Sequence, residues 1–123
     1  MNGRSLWRSF QNALRGIVTA FRTERNFRIH SLAAVLVVIV VFALPFELWE
    51  RFALLLVTVL VLVLELANSS LERLVDLAKP RLHEYAGEVK DLMAASVLIA
   101  SVFALCVGIF IAGPRVIDVV FSL

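Results

Sequence analysis

The fold is decided by residues 52–76, which read FALLLVTVLVLVLELANSSLERLVD. The first twenty of these residues carry a single charged side chain, Glu65. A run of this length and apolarity is typical of a helix that crosses a bilayer. Because lipid cannot satisfy backbone polar groups, a spanning segment of this kind must be helical. We therefore predict a transmembrane helix over residues 52–72.

Two further apolar blocks flank this segment and predict transmembrane helices over residues 31–48 and 91–113. The link at 45–51 has room only for a tight turn, whereas the polar segment 72–91 contains Pro80, which breaks a helix. The chain has 123 residues, of which 61% are hydrophobic, and a mean hydropathy of +0.92. These values predict one all-α integral membrane domain over residues 1–123.

The basic residues predict the orientation of the chain in the membrane. Ten of the twelve precede the first block or lie between the second and third, and the other two are Arg51 and Arg115. Positive residues concentrate on the cytoplasmic side, so we expect a multi-pass protein with a cytoplasmic N-terminus and an external C-terminus. No cleavable signal peptide is expected, because the first thirty residues lack a continuous apolar stretch. A net charge of +2 does not indicate a nucleic-acid partner.

Residues 1–29 have the pattern of an amphipathic surface helix. At 100° per residue, Arg4, Arg8, Arg15 and Arg22 fall within about 40° of one another, and the apolar residues lie opposite. Such a helix would lie flat in the interface, with its arginines toward anionic headgroups. The alternative is a soluble amphipathic helix docked on a partner. In the interfacial arrangement His30 ends the surface segment.

Glu65 is the anomaly in its apolar run, because a charge inside a membrane helix costs about 2.5–3.5 kcal/mol. Asn68, Glu72 and Asp76 share its helix face within an arc of about 80°. Such stacked carboxylates suit a hard cation such as Mg²⁺ together with phosphate. A proton- or cation-coupled transport site, or polar packing between spans, is the alternative left open by the spacing.

Three other charged residues are expected at the same cytoplasmic level: Glu24 at the end of the surface helix, and Lys90 and Asp91 at the start of the third span. Asp91 would also serve as a helix N-cap, for which aspartate is well suited. His83 suits either a solvated loop or a nucleotide contact, and Cys106 suits simple packing. No Gly-x-x-x-x-Gly-Lys-Ser/Thr sequence is present, which excludes a P-loop nucleotide site.

Several of these segments together resemble the prokaryotic diacylglycerol kinase family. They are residues 21–30, which read FRTERNFRIH, residues 65–76, which read ELANSSLERLVD, and His83, Lys90 and Asp91 at matching spacing. The resemblance covers nearly the whole chain, from about residue 10 to 110. The run ERNFRIH looks more like the undecaprenol kinase branch than the diacylglycerol kinase branch.

The resemblance implies a homotrimer in the bacterial inner membrane that uses Mg²⁺ and ATP to phosphorylate a lipid alcohol. Carried over by motif position, Glu65 would be the general base and Asn68 would orient the reacting groups. Metal ligands would be Glu24 and Glu72. Nucleotide contacts would come from four positions: Asp76, His83, Lys90 and Asp91.

The lipid, the nucleotide preference and the class of protein all keep alternatives. Undecaprenol, giving undecaprenyl phosphate, is favoured over diacylglycerol, which would give phosphatidic acid. Leu82 stands where relatives often carry an aromatic residue. If that ring stacks on adenine, this chain is expected to bind ATP less tightly or to accept other nucleotides. A small proton-coupled transporter is the non-kinase alternative, although it would place its carboxylate near mid-bilayer with access from both sides. A third alternative is an assembly factor that catalyses no reaction, but such a protein would not need four polar side chains on one helix face.

Overall fold

The computed structural model describes residues 2–78, 81 and 84–123. Within this part, the chain folds into four helices: α1 at Gly3–Thr23, α2 at Arg25–Ala43, α3 at Leu48–Ala78 and α4 at Ala86–Phe121. Helices α2, α3 and α4 are each long and apolar enough to cross a membrane. The predicted all-α architecture with three membrane helices is therefore confirmed.

A break at Glu24 separates α1 from α2. Glu24 has an extended backbone, with φ −107° and ψ 113°, so the helix that the sequence predicts over residues 1–29 ends at Thr23. Arg28 explains why the break is stable, because its guanidinium donates to the carbonyls of Phe21 and Arg22 at 3.1 and 3.0 Å. These carbonyls lie in the last turn of α1, where no intrahelical partner is available.

The first membrane helix consequently begins earlier than the apolar block from which it was predicted. Residues 25–29 belong to α2, and His30 lies inside that helix rather than at the end of a surface segment. Helices α3 and α4 also exceed their apolar blocks, and α4 continues through Pro114. Hydropathy marks the part of a helix that is apolar, whereas the backbone hydrogen bonds continue into the polar turns on either side.

The link between α2 and α3 consists of residues 44–47. Glu50 stabilises the start of α3, because its Oε2 accepts a hydrogen bond of 2.8 Å from the backbone N–H of Glu47. This is the arrangement in which an acidic side chain in the first turn satisfies the N–H of the residue before the helix. The short link therefore brings the ends of α2 and α3 together.

Both α2 and α4 pack on α3, and the buried core lies near the link. Val41 from α2, Phe46 from the link, Leu54 from α3 and Ile111 from α4 form one cluster. Val41 has no exposed surface. Apolar side chains farther from this cluster are largely exposed, as expected for surfaces that face lipid or other copies of the chain.

An ion pair fixes α4 to α3 at the same end. Nη2 of Arg115 lies 3.2 and 3.1 Å from the two carboxylate oxygens of Glu50, whose side chain is buried. Glu47 lies 3.9 Å from the same guanidinium. Removal of one partner of a buried pair leaves an uncompensated charge, which is more destabilising than removal of both.

We expect Arg115→Ala to lower the stability of the folded chain, because it leaves the Glu50 carboxylate without its counter-ion. The double variant Arg115→Ala, Glu50→Gln should recover part of the loss. Unfolding by a denaturing detergent, followed by circular dichroism, measures both effects. Arg4→Ala on α1 is the matched control for loss of one arginine. Equal stability of the single variant and the control would contradict a role for the ion pair.

Candidate functional site

Glu65 lies on the inward face of α3, with a side chain that is 6% exposed. His30 of α2 approaches it, and Nδ1 of His30 is 2.8 Å from Oε1 of Glu65. Neither atom makes a hydrogen bond within the part of the chain that the structure describes, although the two lie close together. The buried carboxylate therefore meets an imidazole, and this is the contact that an isolated charge in apolar surroundings requires.

One turn further along α3, Asn68 faces Glu72. The amide nitrogen of Asn68 donates to Oε1 of Glu72 at 3.5 Å, which is a long hydrogen bond. The amide oxygen of Asn68 is buried and has no hydrogen-bond partner among the described residues. A buried oxygen in this condition is a free acceptor, available to a proton donor or a cation.

Glu24 is held against α3 at the break between α1 and α2. Its Oε1 accepts a hydrogen bond of 2.9 Å from the hydroxyl of Ser69 and lies 3.4 Å from Nη2 of Arg73. The same guanidinium nitrogen donates to the hydroxyl of Thr23 at 2.8 Å. The carboxylate that the sequence places at the end of the surface helix thus contacts the polar turn of α3.

A second pair connects α3 to α4 at the same end of the bundle. Nζ of Lys90 lies 2.6 Å from Oδ1 of Asp76. Asp91 lies inside α4, which begins at Ala86 and has Tyr85 as its N-cap. The alternative that Asp91 caps this helix is therefore wrong, because the helix starts one and a half turns earlier than the apolar block.

Most of the predicted site residues fall into separate groups of two or three residues rather than one cluster. Within the described ranges 2–78, 81 and 84–123, no three His, Cys, Asp or Glu side chains lie close enough together to hold a metal ion. His83 and Leu82 lie outside the described residues. What the structure brings together is Glu65 with His30, Asn68 with Glu72, Glu24 with Ser69 and Arg73, and Asp76 with Lys90.

Two cavities adjoin these pairs. One, of about 690 Å³, lies between α1 and α3 and is lined by Arg15, Ser69 and Arg73 among others. The other is an apolar groove of about 560 Å³ between α2, α3 and α4. His30 lines the groove at one end and Val116 at the other. The groove therefore extends from the Glu65 contact toward the link end of the bundle.

Three residues in these contacts were not predicted as site residues: His30, Ser69 and Arg73. Ser69 falls about 40° from Glu65 on the helix face, within reach of the same neighbours as Asn68. Its spacing from Glu65 could therefore have identified it as a site residue. His30 could not be placed from spacing alone, because the contact depends on the break at Glu24. Arg73 was counted only as a cytoplasmic basic residue.

We expect Arg73→Ala to loosen the end of α1 from α3, because the guanidinium contacts both Thr23 and Glu24. Amide hydrogen exchange measured by mass spectrometry should show faster exchange over residues 20–24. Arg22→Ala removes the same charge from α1 and is the control, since its side chain is exposed. Unchanged exchange in Arg73→Ala would contradict the contact.

Comparison with known proteins places the chain in a family. The family model described as prokaryotic diacylglycerol kinase matches residues 11–112. The undecaprenol kinase of Bacillus subtilis is 35% identical over 109 residues, which are 89% of each chain. The diacylglycerol kinase of Escherichia coli K12 is 33% identical over 90 residues, or 73% of this chain and 74% of that protein.

A diacylglycerol kinase of Synechocystis is 42% identical over 101 residues, which are 81% of this chain. The match spans 58% of the length of that relative. Because the family model covers most of the described helices, and two relatives above 30% identity match over more than two thirds of both chains, the assignment does not depend on one comparison. The chain belongs to the prokaryotic diacylglycerol kinase family, which is a family of lipid kinases.

Proposed function

We propose that this protein transfers the γ-phosphoryl group of ATP to the hydroxyl of a membrane lipid, with undecaprenol as the acceptor. The observation that carries the proposal is the buried Glu65 carboxylate beside an apolar groove in a membrane helix. A lipid alcohol keeps its chain in hydrocarbon and its hydroxyl near the membrane surface, so we expect the group that accepts its proton to lie at about the same depth in the membrane. Family membership favours this activity over proton-coupled transport.

In the proposed reaction, Glu65 accepts the proton of the lipid hydroxyl. The hydroxyl oxygen forms a bond to the γ-phosphorus of ATP while the bond from that phosphorus to the β–γ bridging oxygen breaks, and ADP leaves. The transition state of such a transfer depends on alignment and charge neutralisation more than on covalent chemistry. Asn68 has a free amide oxygen close to Glu65 on the same helix, which suits a role in orienting the reacting groups.

Among the described residues, candidates for Mg²⁺ and nucleotide contacts lie toward the end of α3 that is opposite the link. Glu24 and Glu72 are the candidate metal ligands, and Mg²⁺ in kinases commonly takes one or two carboxylates and completes its shell with phosphate and water. The unpartnered oxygen of Asn68 beside Glu72 fits this donor set. When bound, the ion would neutralise phosphate charge. Lys90, paired with Asp76, is the cation placed to contact phosphate, and Asp91 and His83 complete the proposed nucleotide contacts.

We also propose the topology that the basic residues indicate. Helix α1 would lie in the cytoplasmic interface with its arginines toward anionic headgroups, and the N-terminus would be cytoplasmic. The two remaining basic residues, Arg51 and Arg115, contact acceptors at the opposite end, namely the Phe46 carbonyl and the Glu50 carboxylate. In this topology both guanidiniums would have hydrogen-bond acceptors within the protein on the outer side. The C-terminus would then lie outside, and residues 1–123 would act as one domain within a homotrimer.

Two features support undecaprenol over diacylglycerol as the acceptor. The match to the undecaprenol kinase of Bacillus subtilis spans nearly the full length of both proteins. In addition, the groove runs along α4 from Ser101 to Val116, which is about 22 Å at 1.5 Å per residue. That length exceeds one leaflet of a bilayer core about 30 Å thick, so it suits a long polyprenyl chain.

The proposal predicts that purified protein transfers labelled phosphate from Mg-ATP to undecaprenol in mixed micelles, faster than to diacylglycerol. Glu65→Gln should lose about 10²–10⁴-fold in rate, because it removes only the proton acceptor. Leu60→Ala, at an exposed apolar position on the same helix, is the matched control. Label in diacylglycerol alone would exclude the undecaprenol assignment. No label in either lipid, from folded protein, would exclude the kinase.

Glu72→Gln should raise the Mg²⁺ concentration needed for half-maximal activity, because an amide is a weaker ligand for a hard cation than a carboxylate. The measurement is a titration of initial rate with Mg²⁺ at saturating ATP and lipid. Glu88→Gln, on the first turn of α4, removes one carboxylate outside the proposed site and is the control. A Glu72→Gln titration that superimposes on the wild-type curve would exclude ligation by this residue.

A further inference from the structure

We propose that His30 is a positioning residue for this reaction, and that it acts by holding the Glu65 carboxylate in the orientation in which it accepts the proton of the lipid hydroxyl. The inference rests on the proposed function, because it assigns a role relative to the proton acceptor. It is carried by the contact between Nδ1 of His30 and Oε1 of Glu65 at 2.8 Å.

Burial makes this contact more than an incidental approach. The Glu65 side chain is 6% exposed, whereas that of His30 is 29% exposed. Among the described residues, Oε1 of Glu65 has no hydrogen-bond partner, and the imidazole of His30 is the group that lies 2.8 Å from it. A carboxylate in such surroundings has few ways to be stabilised, so one neighbouring polar group determines which way it points.

His30 contacts Glu65 and also lines the apolar groove. It lines the groove at the end nearest Glu65, together with Ser101 of α4. Helices α3 and α4 are antiparallel, and ion pairs join them near both ends: Glu50 with Arg115 and Asp76 with Lys90. Counting residues along both helices from these pairs puts Ser101 at the level of Glu65. A lipid hydroxyl that reaches this level from the groove would therefore meet the imidazole and the carboxylate together.

The two atoms are close together but do not form a hydrogen bond in this structure. A small rotation of the ring or of the carboxylate would form the bond, and catalytic contacts often tighten only when substrate is present. An imidazole that carries a proton on Nδ1 donates it to one carboxylate oxygen and leaves the other oxygen of Glu65 for the hydroxyl. His30 thus acts through Glu65 and takes no part in the bond changes.

Three substitutions at position 30 separate orientation from packing. Asparagine carries its amide nitrogen on Cγ, as histidine carries Nδ1, whereas glutamine carries its nitrogen one bond further out. We expect His30→Asn to keep kcat within about threefold of wild type, and His30→Gln and His30→Phe to lose about tenfold or more, with KM for ATP unchanged. Ile29→Ala, at a neighbouring exposed position, should match wild type. Equal rates for the asparagine and glutamine variants would overturn the proposal.

A second measurement is independent of turnover. The chain has two histidines, so ¹⁵N spectra of the labelled imidazoles can be assigned with His30→Asn. The His30 resonances should shift in Glu65→Gln and remain in place in Leu60→Ala. Unshifted resonances would overturn the contact itself. A shift accompanied by no labelled lipid in wild type would overturn the proposed function, whereas labelled lipid with equal variant rates would overturn the positioning role alone.

Discussion

The structure depends on the placement of charge along a helix that is otherwise apolar. A carboxylate inside a membrane helix is stable only where protein groups replace the water it has lost. In α3, Glu65 meets His30 of α2, so the helix must present this face to its neighbour and not to lipid. The rotation of α3 is therefore determined by its polar face, and the positions of Ser69 and Arg73 follow from it. The apolar residues on the other faces of α3 do not determine this rotation.

The two ends of α3 make different use of ion pairs. At the link end, Glu50 contacts Arg115 and also satisfies the first turn of its own helix, close to the buried cluster around Val41. At the other end, Glu24 and Asp76 pair with Arg73 and Lys90 on partly exposed surfaces. Exposed pairs contribute little to stability and exchange partners easily. They would suit the nucleotide site that we propose at this end, whereas the link end suits a structural role.

Much of this could be predicted from the sequence. Hydropathy located three membrane helices, and the 3.6-residue period placed Glu65, Asn68, Glu72 and Asp76 on one face of α3. Helix ends were less predictable, because apolar blocks mark only the lipid-facing part of a helix. The break at Glu24 depends on Arg28, whose long side chain contacts carbonyls six and seven residues earlier.

Contacts between helices were the least predictable part of the site. The distance from His30 to Glu65 depends on how α2 packs against α3, and no spacing along either helix contains that information. The same holds for Ser69, whose hydroxyl contacts Glu24 from 45 positions away in the chain. The resemblance to a family suggests roles for single residues, and these roles stay proposals. The contacts between residues could be found only from the fold.

The four-residue link has a mechanical consequence for the groove. It joins α2 and α3 at the end where the core is buried and where Arg115 fixes α4 through the buried Glu50 carboxylate, whereas the ion pairs at the other end are partly exposed. Glu65 lies about 22 Å along α3 from Glu50. A tilt of about 5° about the link end would therefore displace a side chain at the level of Glu65 by about 2 Å, while leaving the core packing nearly unchanged. Variation in groove width should accordingly be greatest where the hydroxyl of a lipid would enter, and smallest where its tail would end.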